Sequence, residues 1–439
     1  MKRINPTVLL INPPVYDFAL YDLFLKPLGL LRVAKWLRDG GYRVEMVNAL
    51  DYRDPTTESV LGKPKRKENG TGKFFRSIVP KPPVFNGIKR NFARYGILPE
   101  VFQQRIRRIR PDLVMVGSGM TYWYPGVSEA VTTAREIYPR VPVVVGGVYA
   151  TLLPEHCREV TGADYVVQGE AWPALRKILD TLKLPLPPER PDGAPLLLKE
   201  IWNDAGVLTL NRGCPLRCSY CATHRLCGGF TEGNPEKAFS LLQRFFSLGI
   251  RNYAFYDDAL LVNKERVFIP FMEMVVKSDM DLCFYLPNAV HVGYLDRDTA
   301  SLMKKAGFQE VRLGFESSSD DFHRDLDGKP GRDALAETVE VLRLSGFGLR
   351  GIGVYLLAGL PGQRAEEVYE SLRFVGSLGI NIYISEYSPV PGTALWERSK
   401  KESKYPLEEE PLFHNNTVFP MEWNGFTRED LESLKGVRS

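Results

Sequence analysis

The stretch "LNRGCPLRCSYCATHRLC", residues 210–227, brings Cys214, Cys218 and Cys221 together in a 439-residue chain that has six cysteines in all. It overlaps the end of the apolar run "VLTL" (207–210), so the three thiols sit on a loop leaving a candidate strand. The rest of this half of the chain repeats that theme. Runs of strand character at "GVLTLN", "NYAFYDD", "CFYLPNAV", "EVRLGFES", "LRGIGVYLLAGLP" and "NIYISEYSPVP" are separated by amphipathic stretches such as "NPEKAFSLLQRFFSLGI", "RDTASLMKKAGF" and "RDALAETVEVLRLSGF". Six such units in succession predict a partial (β/α)6 barrel of the TIM type over 200–395, with its chemistry at the C-terminal ends of the strands. The cysteine loop lies on that face.

A second alternation fills residues 7–170. "TVLLINPP", "YRVEMVNAL", "DLVMVGSGM", "VPVVVGGVYA" and "DYVVQGE" read as strands, with "LGLLRVAKWLRDGG" and "VSEAVTTAREIYP" as helices between them. The chain is therefore expected to be α/β, opening with a doubly wound, Rossmann-like parallel sheet over 1–182. An insertion at about 51–110 is weakly periodic until "GILPEVFQQRIRRIRPD", which reads as a helix with basic residues on its outer face. Residues 183–199 are proline-rich and read as a linker. Residues 396–439 read as a C-terminal extension, helical near "TREDLESLKG" and placed as a cap over the barrel. Two domains also suit the length, which exceeds what one core usually supports.

Composition narrows the class. Hydrophobic residues make up 44% and charged residues 25%, with a net charge of +4. That balance is ordinary for a globular enzyme and too weak to imply a nucleic-acid partner, and the basic run "GKPKRKENGTGK" (62–73) reads as a solvated loop. No apolar run approaches the ~18 residues of a membrane span, so a cytoplasmic protein is expected. In that reducing compartment clustered cysteines serve as ligands or catalysts rather than disulfides.

The spacing C-x3-C-x2-C leaves three readings open. A structural zinc site would recruit His224 or Cys227 as a fourth ligand. A ferredoxin-type cluster also takes four cysteines, and its usual runs are spaced differently. The third reading is a [4Fe-4S] cluster on three thiolates, with one iron open to a small molecule.

With an aromatic residue before the last cysteine, on the loop after the first barrel strand, this pattern resembles the radical S-adenosylmethionine (SAM) superfamily. The resemblance implies that the open iron chelates the amino and carboxylate groups of SAM, whose reductive cleavage gives a 5′-deoxyadenosyl radical. It further implies SAM contacts from Tyr220, the aromatic of the motif, from Asp257 and Asp258 after the second strand, and from Glu316 ending the fourth. "YLLAGLPGQ" (355–363), with Gly359, resembles the family's fifth-strand motif, and "YSPVPGT" (387–393) its sixth. Each has a plainer explanation: Asp258 as a helix cap, Glu316 as an ion-pair partner, the glycines as turns. Cys157, Cys227 and Cys283 are read as ordinary buried or inert thiols.

The first domain carries no G-x-G-x-x-G, which argues against a dinucleotide. It resembles the cobalamin-binding domain found ahead of many radical SAM domains. The matching features are "LLINPP", "PDLVMVGSGMT", "GADYVVQGE" and the Gly146-Gly147 pair, with 25 residues between Met120 and Gly146. Ser118, Thr121, Gly146 and Gly147 are thereby implied to face cobalamin. The D-x-H-x-x-G motif of the mutase type is missing, and no histidine precedes His156, so cobalamin would lack a protein histidine ligand. Packing alone is the plainer role for such a domain.

Together the resemblances imply a cobalamin-dependent radical SAM enzyme. Its expected activity is methyl transfer from methylcobalamin to an unactivated carbon of a small-molecule or natural-product substrate, with flavodoxin or ferredoxin as reductant. Cyclisation, ring rearrangement or oxidation without methyl transfer is the alternative, and a zinc-stabilised binding protein the remote one. Asn288 and His291, with the aromatics of "TYWYP" (121–125) and "FYLPN" (284–288), are candidates to line a substrate cavity between the domains.

Overall fold

In the first unit, a continuous apolar run at Val8, Leu9, Leu10 and Ile11 is fully buried, as a strand covered on both faces requires. The structure, a computed structural model, describes residues 5–189, 191–202 and 204–436. It divides into two units, Met1–Asn203 and Asp204–Ser439.

The first unit is built on five parallel strands: β1 Thr7–Asn12, β2 Arg43–Asn48, β3 Leu113–Ser118, β4 Val143–Gly147 and β5 Tyr165–Val167. Their order is β2-β1-β3-β4-β5. Alternate side chains feed two cores, Leu9, Ile11, Val114 and Val145 on one face and Val8, Leu10, Met115 and Val144 on the other. Helix Tyr124–Ile137 covers the first face, and Leu28–Asp39 with Ala171–Thr181 the second. The order reverses between β1 and β3, so the ends of those strands open the crevice where such sheets take ligands.

The weakly periodic insertion is structured. Strands Val15–Asp17, Arg76–Ile78 and Ala93–Tyr95 form a small antiparallel sheet. Buried Arg94 anchors it, donating to Glu129 of the covering helix at 2.7–3.1 Å. The basic helix, Pro99–Arg107, turns one of its arginines inward: Arg105 bonds Asp51 at 2.9 Å and Asp54 at 2.7 Å. Arg66 of the basic run is likewise tied down, to Asp22 at 2.7 Å. The proline-rich stretch lies along this unit, where Trp36 donates to the Pro188 carbonyl (2.7 Å) and the Leu196 amide donates to the Leu31 carbonyl (2.8 Å).

In the second unit β6 Ala205–Leu208, β7 Asn252–Phe255 and β8 Cys283–Tyr285 form one parallel sheet. A second contains β9 Val290–His291, β10 Val311–Glu316, β11 Ile352–Ala358 and β12 Asn381–Glu386. The single strand expected at "CFYLPNAV" is thus two, one in each sheet. Pro287 lacks the N–H a central strand must donate, which accounts for the break. The gap is bridged by side chains: Tyr355 donates to the Pro287 carbonyl (3.2 Å) and Asn288 to the carbonyls of Tyr256 and Asp257 (3.2 and 3.3 Å). Below it, Phe255, Phe284 and Phe308 stack at 5.4–5.7 Å. The C-terminal extension ends in helix Arg428–Gly436, started by a reciprocal Thr427–Asp430 cap. Among the described residues no helix is long and apolar enough to cross a membrane.

Candidate active site and cofactor faces

The loop after β6 is held before any ligand arrives. Fully buried Asp257, at the end of β7, accepts from the Leu210 amide (3.0 Å) and the Asn211 amide (2.6 Å), fixing the entry to the cysteine loop. Burial pushes its carboxyl up to about 7, against the pull of those amides. Asp257 therefore positions the loop and does not line the cavity. Asp257→Ala would strand both buried N–H groups, at a cost of about 2–3 kcal/mol. The expected result, checked by thermal denaturation and iron assay, is a lower melting temperature together with reduced iron retention.

The three cysteines open onto one cavity of about 380 Å³, shared with Tyr220, Asp258, Glu316, Lys329, His291 and Tyr355, among others. Burial raises the Cys214 thiol and pushes Cys218 up to about 11. Cys221 Sγ lies 3.3 Å from Thr223 Oγ1, and Thr223 also supports Asp258, whose carboxyl burial raises. Between the cysteines, the buried Ser219 hydroxyl has no hydrogen-bond partner, but Ser219 is not among the residues that line the cavity. Among the described residues no three Cys, His, Asp or Glu side chains converge on a point that would hold a single metal ion. Tetrahedral zinc needs such a point, and the three thiols as placed do not provide one.

Opposite the cysteines lies a charged group that the sequence pattern only partly signals. Glu316 ends β10 at a bulge, with φ +70°, a strained conformation for a non-glycine residue. Its carboxylate accepts from Lys329 Nζ at 2.7 Å. Burial would lower the Lys329 ammonium, but Glu316, Asp327 and Cys218 outweigh it and hold the group above its usual range. Lys329 follows a wide π-helical turn, His323–Asp327, closed by a bond from the Gly328 amide to the His323 carbonyl (2.6 Å). Asp327 from that turn accepts from Tyr220 at 2.9 Å and faces His323 Nδ1 at 2.9 Å. "HRDLDGKP" carries no periodic signal of this role. Its one cue is a cluster of ionisable residues after a strand end.

Gly359 lies outside the cavity lining. Its φ is +86°, and a Cβ there would stand 2.6 Å from the Phe419 ring, so the fold itself requires the glycine. Asn288 and His291 do line the cavity, whereas Phe284 belongs to the core.

In the first unit Ser118 donates to the Gly146 carbonyl (2.9 Å) and accepts from the Ala150 amide (3.2 Å), linking β3 to β4. Thr121 is buried and Met120 exposed beside it. Gly147 has φ +110°, and a Cβ there would lie 2.3 Å from the Ser118 carbonyl oxygen. Gly146 is different. Its φ is ordinary and an added Cβ would meet nothing closer than Val167, at 3.7 Å. Neither backbone nor packing demands that glycine, which leaves an open face able to take a flat, bulky group such as a corrinoid.

Residues 208–375 match the Radical SAM superfamily and residues 87–179 the B12 binding domain. The second unit thus carries a radical SAM domain. More particularly, the chain places a B12-binding domain ahead of that radical SAM domain. The radical SAM domain implies a [4Fe-4S] cluster and SAM, and the leading domain implies cobalamin.

The chain is 25% identical over 371 residues to an uncharacterized methyltransferase of Pyrococcus horikoshii, covering 74% of each. It is 22% identical over 349 residues to the anaerobic magnesium-protoporphyrin IX monomethyl ester cyclase of Cereibacter sphaeroides, covering 68% of this chain and 55% of the cyclase. It spans about half the length of the cyclases it matches. Among solved structures, the radical SAM methyltransferase TsrM of Kitasatospora setae aligns with a TM-score of 0.69 at 15% identity, covering 98% of this chain and 89% of TsrM. The cobalamin-dependent radical enzyme OxsB gives 0.60 at 16%, covering 84% and 52%. At these identities the likeness is one of fold.

Proposed function

We propose that this protein is a methyltransferase that alkylates an unactivated carbon of a small molecule. The observation that carries the reading is the convergence of Cys214, Cys218 and Cys221 with Asp258, Glu316 and Lys329 on one cavity, in a chain that also bears a B12-binding domain. The methyltransferase relative that matches three quarters of the chain supports it. When bound, the cluster, SAM and cobalamin supply hydrogen-atom removal from an unactivated C–H bond and a transferable methyl group.

The chain's residues do the rest. The three thiols would hold the cluster, which together with SAM would supply the radical chemistry. Asp258 and Glu316 offer acceptors to an ammonium group, and Lys329 supplies the opposite charge. Leu260, Leu261, Val262 and Val290 line the same cavity and exclude water. Ser118, Thr121, Gly146 and Gly147 would face cobalamin, which the first unit would hold without a histidine ligand: no histidine precedes His156 in the sequence, and that residue engages Tyr149 at 2.7 Å. A flavodoxin or ferredoxin supplies the electron.

The cyclases among the relatives favour a second reading, ring formation without methyl transfer. One experiment separates the two. Protein purified anaerobically with cobalamin should hold about four irons and one cobalt per chain. Given dithionite, SAM deuterated in its methyl group and a metabolite extract, it should form a product carrying the intact labelled methyl, with 5′-deoxyadenosine and S-adenosylhomocysteine as coproducts. An unlabelled product formed alongside 5′-deoxyadenosine would overturn methylation in favour of cyclisation, and zinc in place of iron would overturn both.

A further inference from the structure

His291 is the cavity residue whose chemistry the proposed function leaves unused. It ends β9, and its Nδ1 accepts a hydrogen bond from the Gly293 amide at 3.1 Å, capping a short turn. That bond fixes the tautomer: a neutral ring whose Nδ1 accepts must carry its proton on Nε2. The ring lines the cavity and packs against Tyr294 at 4.9 Å between centroids. Its Nε2 has no hydrogen-bond partner among the described residues.

The surroundings identify the acceptor that is missing. Lys329, Asp327 and His323 are the charged or titratable groups acting on His291, and Tyr294 is its ring neighbour. Burial, reinforced by Lys329, pushes the imidazole down to about 4, so the ring stays neutral at physiological pH. The same Lys329 acts on Cys214 and Cys218. His291 pairs with Gly314, where an added Cβ would stand 3.4 Å from Lys329 Nζ. The donor therefore opens onto the cavity of the three thiols beside an ammonium group that is already paired with Glu316, and a neutral N–H there calls for an oxygen acceptor.

We propose that His291 is a positioning residue whose Nε2–H donates to the methionyl carboxylate of SAM. It would hold that group in place without becoming charged. The proposal rests on the cluster-and-SAM reading and adds a neutral, tautomer-locked donor to it.

Three variants of the full, anaerobically reconstituted protein separate this role from a structural one. His291→Asn keeps an acceptor for the Gly293 amide but is too short to reach the cavity. His291→Gln keeps an N–H near the Nε2 position but sacrifices the cap. His291→Phe keeps the ring and removes both. Calorimetric titration with SAM should show binding weakened about tenfold or more in Asn and Phe. Gln should recover most of the affinity despite any fall in melting temperature. The ratio of wild-type to Asn affinity should stay flat from about pH 5.5 to about pH 8, because the ring does not titrate there.

Wild-type affinity in His291→Phe overturns the proposal. So does a Gln variant no better than Asn, or a ratio that grows as pH falls through the usual histidine range, which would mean a cationic donor. Failure of the wild-type protein to take up iron or bind SAM would instead reject the underlying cluster-and-SAM reading, so the two failures are distinguishable.

Discussion

Cys218→Ala will leave a folded protein that retains less than about one iron per chain and forms no 5′-deoxyadenosine above background, measured by iron assay and chromatography after anaerobic reconstitution. In the proposed site three thiolates would hold the cluster, so removing one would leave two ligands for four irons. No other thiol among the described residues is placed to compensate: Cys227, like His224, lies outside the cavity lining. Cys214→Ala and Cys221→Ala should behave alike. Cys227→Ser and Cys283→Ser should keep their iron, and so should Cys157→Ala, whose thiol is buried in the first unit's core and pushed up to about 12 by that burial. A Cys227→Ser protein that lost its iron would show that a fourth cysteine ligates, and the open-iron mechanism would fall with it.

Gly147→Ala will destabilise the first unit by about 2–4 kcal/mol, the sum expected for a strained left-handed residue and a forced contact. The atoms that an added Cβ would meet are the Ser118 carbonyl oxygen at 2.3 Å and amide nitrogen at 2.9 Å. These are backbone atoms in β3 and cannot swing aside. The strand pairing Ser118↔Gly147 would have to open. Gly146→Ala supplies the contrast. It should alter the melting temperature of the cobalamin-free protein by less than about 1 kcal/mol equivalent, yet lower cobalt retention, because its methyl group would occupy the open face. Cobalt content by mass spectrometry and thermal denaturation of both variants check the pair. Full cobalt retention in Gly146→Ala would remove that face from the binding site.

The parallel sheets are legible in the sequence because buried parallel strands write themselves as unbroken apolar runs. "TVLLIN" and "LVMVGS" leave little choice, and the cysteine spacing signals its own chemistry. The third barrel strand misleads for a physical reason: a run of apolar and aromatic residues looks continuous in one dimension, while Pro287 forbids the pairing needed to cross the middle. The small sheet of the insertion is invisible because its strands are short and its anchor, Arg94 to Glu129, spans 35 positions. Asp257 and Asp258 are adjacent in sequence, yet one holds backbone and the other faces the cavity, a division set by how the strand end twists. Lys329 and Asp327 escape notice because nothing local distinguishes them from any charged loop.

The wide turn His323–Asp327 makes chain length itself a functional variable. A π-turn carries one residue more than an α-helical turn over the same rise. Deleting a single residue there would let the segment relax into an α-helical turn, which leaves the chain beyond it in place but has one position too few to present both His323 and Asp327 to their partners. Asp327 would lose its bond to Tyr220 with no side chain altered in kind. Point substitutions at exposed Arg324 or Asp325 should be accepted freely, while insertions and deletions should be refused. Descendants of this gene are expected to vary in letters across that turn but not in count.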